Sequence, residues 1–142
     1  MTFYPITKES VDVILDINSE FSDGWNKAML ISGFDGGRFF VLGAKVNEQT
    51  VGYISYSVAC DEADIESVVV KNEFRRRGIA YALVQQAEQS LKGKGVKKLF
   101  LEVRENNLSA RSLYQKSGFI DLSVRKKYYP DGENAVVMVK EL

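Results

Sequence analysis

Between Asp64 and Leu91 the apolar pattern of the chain changes period, and that change constrains the fold more than any other feature. Val68, Val69 and Val70 form a β-branched apolar run of the kind a buried strand uses. A short connection follows, then Arg75, Arg76, Arg77 and Gly78. From Ile79 the apolar positions take helical spacing, with Ile79, Leu83, Ala87 and Leu91 on one face and Ala80 and Val84 beside them. Strand, basic turn with one glycine, helix: that order points the unpaired N–H groups of a first helical turn at whatever the turn encloses. The helix terminus carries partial positive charge and the arginines add formal charge, so the fitting guest is a phosphate or pyrophosphate. The plainer alternative is a solvated basic turn. Gly78 lets the backbone approach such a guest closely, and Ala80 crowds it little. Neither a G-x-x-x-x-G-K-[ST] loop nor a strand followed by G-x-G-x-x-G occurs.

A chain of 142 residues reads as one domain, 1–142. Nineteen basic and nineteen acidic residues cancel, so electrostatic recognition must come from local clusters, and no direct nucleic-acid partner is expected. Cys60 is the only cysteine, which rules out an internal disulfide and suits a reducing compartment. Nothing near it in sequence would activate its thiol, so it reads as a buried small hydrophobe. The N-terminal Met-Thr-Phe-Tyr-Pro has no signal-peptide pattern, and no apolar run approaches the ~20 residues of a membrane span. The expectation is a cytoplasmic protein with no membrane partner. Histidine is absent, which removes Ser–His and Cys–His nucleophile pairs and most transition-metal sites; no metal is expected. Proton transfer then falls to Asp, Glu, Tyr, Lys, Cys or water.

Taken in order, Thr7 is positioned to cap a first helix that buries Val11, Ile14 and Leu15, with Val13 and Ile17 as further candidates. Ser22-Asp23-Gly24 ends it, and Trp25, Ala28 and Met29 suggest a second short helix closing near Gly33. Trp25 reads as a packing anchor, with a place beside a substrate entrance as its sharper alternative. Arg38 to Ala44 and Val51 to Ala59 read as antiparallel strands around a turn at Val46 to Thr50. Both faces of the second are largely covered. After the central unit, Lys92-Gly93-Lys94-Gly95 stops the helix. Val96 to Val103 is a further strand, with Leu99, Leu101 and Val103 facing one way and Phe100 and Glu102 the other. Asn107 caps a helix with Ala110, Leu113 and Tyr114 inward and Gly118 as its stop. Phe119 to Tyr129 and Ala135 to Val139 close the chain as two strands joined through Tyr-Pro-Asp-Gly. The pattern gives an α/β (α+β) fold, a mixed sheet with helices on both faces.

Three segments together resemble the GNAT superfamily of N-acetyltransferases. Arg75-Arg76-Arg77-Gly78-Ile79-Ala80 is similar to its [QR]-x-x-G-x-[GA] signature, and residues 99 to 107, 110 to 114 and Gly118-Phe119 are similar to its second half. Leu101 to Asn107, Leu113 to Phe119 and Tyr128 to Pro130 bring the resemblance closest to the ribosomal-protein alanine N-acetyltransferases. It runs from about residue 61 to residue 138. The resemblance implies a mixed, mostly antiparallel sheet of about six or seven strands. It also implies transfer of acetyl from acetyl-CoA to a primary amine, the acceptor being a protein or peptide N-terminus, a ribosomal protein among the candidates. It places the pantetheine arm on the backbone of Val68, Val69 and Val70. The pyrophosphate falls on Arg75, Arg76, Arg77, Gly78, Ile79, Ala80 and Tyr81, and the region near the thioester on Asn107. Glu102 takes the role of general base and Tyr114 that of general acid.

An α-amine with a pKa near 7.7–8.0 is mostly protonated at neutral pH and must lose that proton before it attacks. A carboxylate can take it, and a hydroxyl can assist the departing thiolate, with no metal and no covalent intermediate. Glu66, nine residues before Arg75, competes with Glu102 for the proton-accepting role, and a water route could use both. Arg125-Lys126-Lys127 reads as a solvated strand face, or as a dock for an acidic or ribosomal surface. Glu133-Asn134-Ala135 departs from the Glu-Asp-Ala usual in the closer subgroup, a lost charge beside the acceptor groove. Two alternatives stay open: acetylation of a small amine, which Glu66 favours, and a CoA-sensing or RNA-associated module without turnover.

Overall fold

The computed structural model describes residues 1–20 and 26–142. Seven strands form one sheet in the order β1-β2-β3-β4-β5-β7-β6. They are β1 (Thr2–Ile6), β2 (Phe39–Val46), β3 (Gln49–Ala59), β4 (Glu62–Val70), β5 (Lys98–Arg104), β6 (Ile120–Arg125) and β7 (Ala135–Glu141). Among the described residues only β4 and β5 pair in parallel. The helices are α1 (Val11–Asn18), α2 (Lys27–Asp35), α3 (Ile79–Gly93) and α4 (Leu108–Lys116).

Two apolar clusters divide the faces. One gathers Ile79, Leu83, Val84, Ala87 and Leu91 of α3 and Tyr114 of α4 against Ile54, Ile65, Leu99, Leu101 and Met138. The other gathers Val11, Ile14 and Ile17 of α1 and Leu30 of α2 against Ile6, Val41 and Tyr53, with Val69 at its margin. The α1/α2 cluster therefore reaches only β1 to β4. Among the described residues nothing covers that face on β5 and β6, and β6 is exposed along its length.

Several elements differ from the sequence reading. β1 was not expected; it adds an edge to β2 through an antiparallel register from Thr2↔Lys45 to Ile6↔Val41. Thr7 makes no side-chain cap; a single 3₁₀ turn, Lys8–Ser10, intervenes before α1. α2 starts behind Asn26, whose Oδ1 accepts from the Met29 N–H at 2.9 Å, and runs past Gly33 to Asp35, with Ala28 and Met29 outside the core. The Ser22-Asp23-Gly24 break and Trp25 lie outside the described residues. The last strand before the closing loop ends at Arg125, not Tyr129, because Lys127 takes φ 51° and leaves the ladder. Cys60 is exposed at the β3–β4 hairpin with φ 58°, so the expected buried hydrophobe is a turn residue. Asn107 caps α4 as expected, accepting from the Ala110 N–H at 3.1 Å, and Gly118 at φ 97° ends it. Among the described residues no helix is long and apolar enough to cross a membrane.

Candidate active site

The parallel pairing of β4 with β5 stops at Ile65↔Leu101. Glu66 is the reason on the β4 side. The β3–β4 register jumps from Ser55↔Ser67 to Tyr56↔Ile65, which leaves Glu66 as the extra residue of a β-bulge. A bulge bends its strand and re-aims a side chain. Beyond it, β4 pairs with β3 alone through Val68, Val69 and Val70. The first position past the last β4–β5 pair is thus a glutamate on each strand, Glu66 on β4 and Glu102 on β5, the latter still paired with Val137 of β7.

The splay opens a cleft of about 940 Å³, the size of a pocket for a large cofactor. Glu66, Val68, Val69, Val70, Arg75, Arg76, Gly78, Ile79, Ala80, Tyr81 and Asn107 line it. Gly78 caps α3 at φ 78° and has no side chain with which to satisfy the first-turn N–H groups, nor does that turn contain an acid. A Cβ built on Gly78 meets no atom within 4 Å. Backbone donors, a helix N-terminus and cationic side chains around open space are what a diphosphate requires. Arg76 adopts φ 63° at about 1–2 kcal/mol of backbone cost, a strain stored beside the cleft. These residues fit the diphosphate of coenzyme A, and the β4 backbone left by β5 fits an extended arm laid along a strand edge.

Arg77 departs from this set. Its guanidinium lies 5.0 Å from the centre of the Phe74 ring, and its side chain does not line the cleft. Sequence reasoning also missed a polar end of the cleft. There the Tyr53 hydroxyl donates to Asn18 Oδ1 at 2.7 Å, and Ser67 hydrogen-bonds Ser55 at 2.6 Å. Asn18 and Tyr53 come from different elements, and no local pattern links them. From α4, Ser109, Ser112 and Lys116 add to the lining, with Lys116 Nζ 5.3 Å from the Tyr81 ring centre. Lys116 is also the cation of the last turn of α4, and nothing in its local sequence sets it apart from an ordinary helix-end lysine.

Neither Glu102 nor Tyr114 lines the cleft itself. Glu102 stands at its apex on the uncovered face, where its Oε1 accepts from Arg125 Nη1 at 2.8 Å. Tyr128 also hydrogen-bonds Glu102, and that bond together with the carboxylate charge pushes the phenol up. Asp64 is pushed up by burial first, then by the charges of Glu102 and Glu62. Tyr114 is 8% exposed, one residue beyond the lining Leu113, with its ring 5.8 Å from Phe119. The loop that carries Tyr128 and Tyr129 is held by Arg104, which pairs with Asp131 at 2.8 Å and Glu133 at 2.9 Å and lies 4.1 Å from the Tyr129 ring centre. Among the described residues no group of His, Cys, Asp and Glu could hold a metal ion.

Residues 11–119 match the model of the Acetyltransferase (GNAT) family. The [ribosomal protein bS18]-alanine N-acetyltransferase of Haemophilus influenzae is 39% identical over 107 residues, 72% of this chain and 73% of that protein. The crystal structure of the ribosomal-protein-S18-alanine N-acetyltransferase from Escherichia coli superposes with a TM-score of 0.90 at 27% identity, over 99% of this chain and 92% of that one. A Bacillus anthracis acetyltransferase crystallised with acetyl coenzyme A gives a TM-score of 0.69 at 25% identity, over 74% of this chain and 63% of that one.

Proposed function

We propose, for a chain that belongs to the acetyltransferase (GNAT) family and moves acetyl from acetyl-CoA to a primary amine, that the acceptor is the N-terminal α-amine of a protein, ribosomal protein bS18 first among candidates. The whole chain acts as one catalytic domain. The observation that carries the reading is the pair of glutamates at the apex of the splay, Glu66 lining the cleft and Glu102 outside that lining, on the side where β6 is exposed along its length.

Acetyl-CoA supplies the acyl carbon that the amine attacks. Arg75, Arg76 and the N–H groups of Gly78, Ile79, Ala80 and Tyr81 hold its diphosphate, and Val68 to Val70 align its arm. Asn107 contacts it near the thioester. Glu102 accepts the first ammonium proton, directly or through water, and frees the lone pair. The neutral nitrogen then bonds to the acyl carbon, its second proton leaves through water, and the carbon–sulfur bond breaks to a thiolate that is protonated to the free thiol. Tyr114 supports the departing sulfur. Burial pushes its phenol up to about 12. An ordinary thiol lies near 8.5, so Tyr114 stays protonated and acts first as a hydrogen-bond donor to the developing thiolate.

Two outcomes are expected. With acetyl-CoA and a panel of amines, free thiol appears with a bS18 N-terminal peptide and not with the same peptide blocked at its N-terminus. Turnover on spermidine with none on the free peptide would move the acceptor to small amines, a reading favoured by Glu66 inside the cleft. Tyr114→Phe lowers kcat by roughly 10²-fold with little change in KM for acetyl-CoA. In the unsubstituted protein no loss of kcat below pH 11 comes from this phenol. The same shift makes stability present below about pH 10 fall as pH rises toward about 12, and Tyr114→Phe removes that alkaline loss.

A further inference from the structure

The Glu102 carboxylate has a fixed cation beside it. Arg125 Nη1 lies 2.8 Å from Oε1, with the two side chains 54% and 32% exposed, so both remain open to an incoming acceptor. The Arg125 guanidinium also lies 4.8 Å from the Tyr128 ring centre, which orients it from the loop side. Other charges act there too. Asp64 on β4 interacts with Glu102, as do Tyr128 and Tyr129 in the loop, and Glu66 stands across the splay. Arg104, two residues along β5, is the other cation beside this loop, and its charge is taken up by Asp131 and Glu133. Apart from the two arginines these are acids and neutral phenols. An amine that reaches Glu102 must come close to Arg125, and it meets that cation either as an ammonium or as a neutral base.

The two forms are populated very differently in the candidate acceptors. At pH 7.4 an α-amine of pKa 7.7–8.0 is about a fifth to a third neutral, whereas a lysine-like amine of pKa 10.4 is neutral in about one molecule per thousand. A like charge disfavours the protonated form. The penalty can be escaped by the α-amine, which gives up its proton near neutral pH, and not by the other.

Resting on Glu102 as the proton acceptor, we propose that Arg125 is a specificity-determining residue: its charge excludes acceptors that remain ammonium, so peptide α-amines are acetylated in preference to lysine side chains and polyamines.

The test compares the unsubstituted protein, Arg125→Gln and Arg125→Lys on three acceptors: a free-N-terminus peptide without lysine, an N-blocked peptide with one lysine, and spermidine. The expected result is that R125Q raises the spermidine-to-peptide ratio of kcat/KM at least about tenfold. It also moves the acidic limb of kcat on the peptide up by about one pH unit, because the bound ammonium loses its repelling neighbour. R125K, which keeps the charge, restores both. An unmoved ratio and an unmoved limb in R125Q overturn the role of Arg125. Equal loss on all acceptors in both variants overturns it as well, since shape and not charge would then be what Arg125 supplies. A failure of the unsubstituted protein to use the free peptide at all is a separate outcome, and it sinks the N-terminal acceptor first.

Discussion

Replacing Glu102 by Gln lowers kcat on a free-N-terminus peptide by roughly 10²–10⁴-fold while acetyl-CoA binds as before. The size follows from the role. Glutamine keeps the volume and a hydrogen-bonding oxygen but cannot accept the ammonium proton. The cofactor is untouched, because Glu102 lies on the uncovered face of β5 and outside the cleft lining. Steady-state kinetics on the peptide with a separate measurement of acetyl-CoA affinity checks both halves. Glu66→Gln is the necessary partner experiment. If E66Q loses the rate and E102Q keeps it, the proton leaves through the β4 bulge and the assignment of the base is reversed. Losses of similar size in both would mark a shared water between the two glutamates.

Gly78→Val raises KM for acetyl-CoA by at least about tenfold, more than it lowers kcat. Two causes act together. A β-branched residue is a genuine outlier at positive φ, and Gly78 sits at 78°. Valine also places a side chain in the open space beside the first-turn N–H groups, where a Cβ now meets nothing within 4 Å. The diphosphate then loses its closest approach to the backbone. Circular dichroism and thermal melting separate that loss from general unfolding, which the left-handed strain alone costs at about 1–2 kcal/mol. An unchanged KM in a folded G78V would mean that arginine side chains, and not backbone donors, hold the cofactor.

Much of this site was legible in the chain. The run Val68 to Val70, the arginine turn and the helical repeat Ile79, Leu83, Ala87, Leu91 are local patterns, and each folds as its period requires. Asn107 as a cap and Gly118 as a stop are equally local, since both satisfy or release backbone groups within one turn. Cys60 was misread because burial was inferred from residue type, whereas the hairpin needed a residue at positive φ there. Arg77 was grouped with its neighbours by sequence alone; the turn sends its side chain over Phe74.

The linear order of residues, by itself, determined the anion-holding turn, the strand and helix on either side of it, and the residue types able to move a proton in a chain without histidine. Tertiary structure alone decided where β4 parts from β5, that Glu66 occupies the bulge at that point, and that Glu102 meets Arg125 from 23 residues away. The division has a physical basis. Helical period, capping and left-handed turns are set by interactions within a few residues, but strand register and the loop contacts of Tyr128 and Arg125 depend on pairing between segments far apart in the chain.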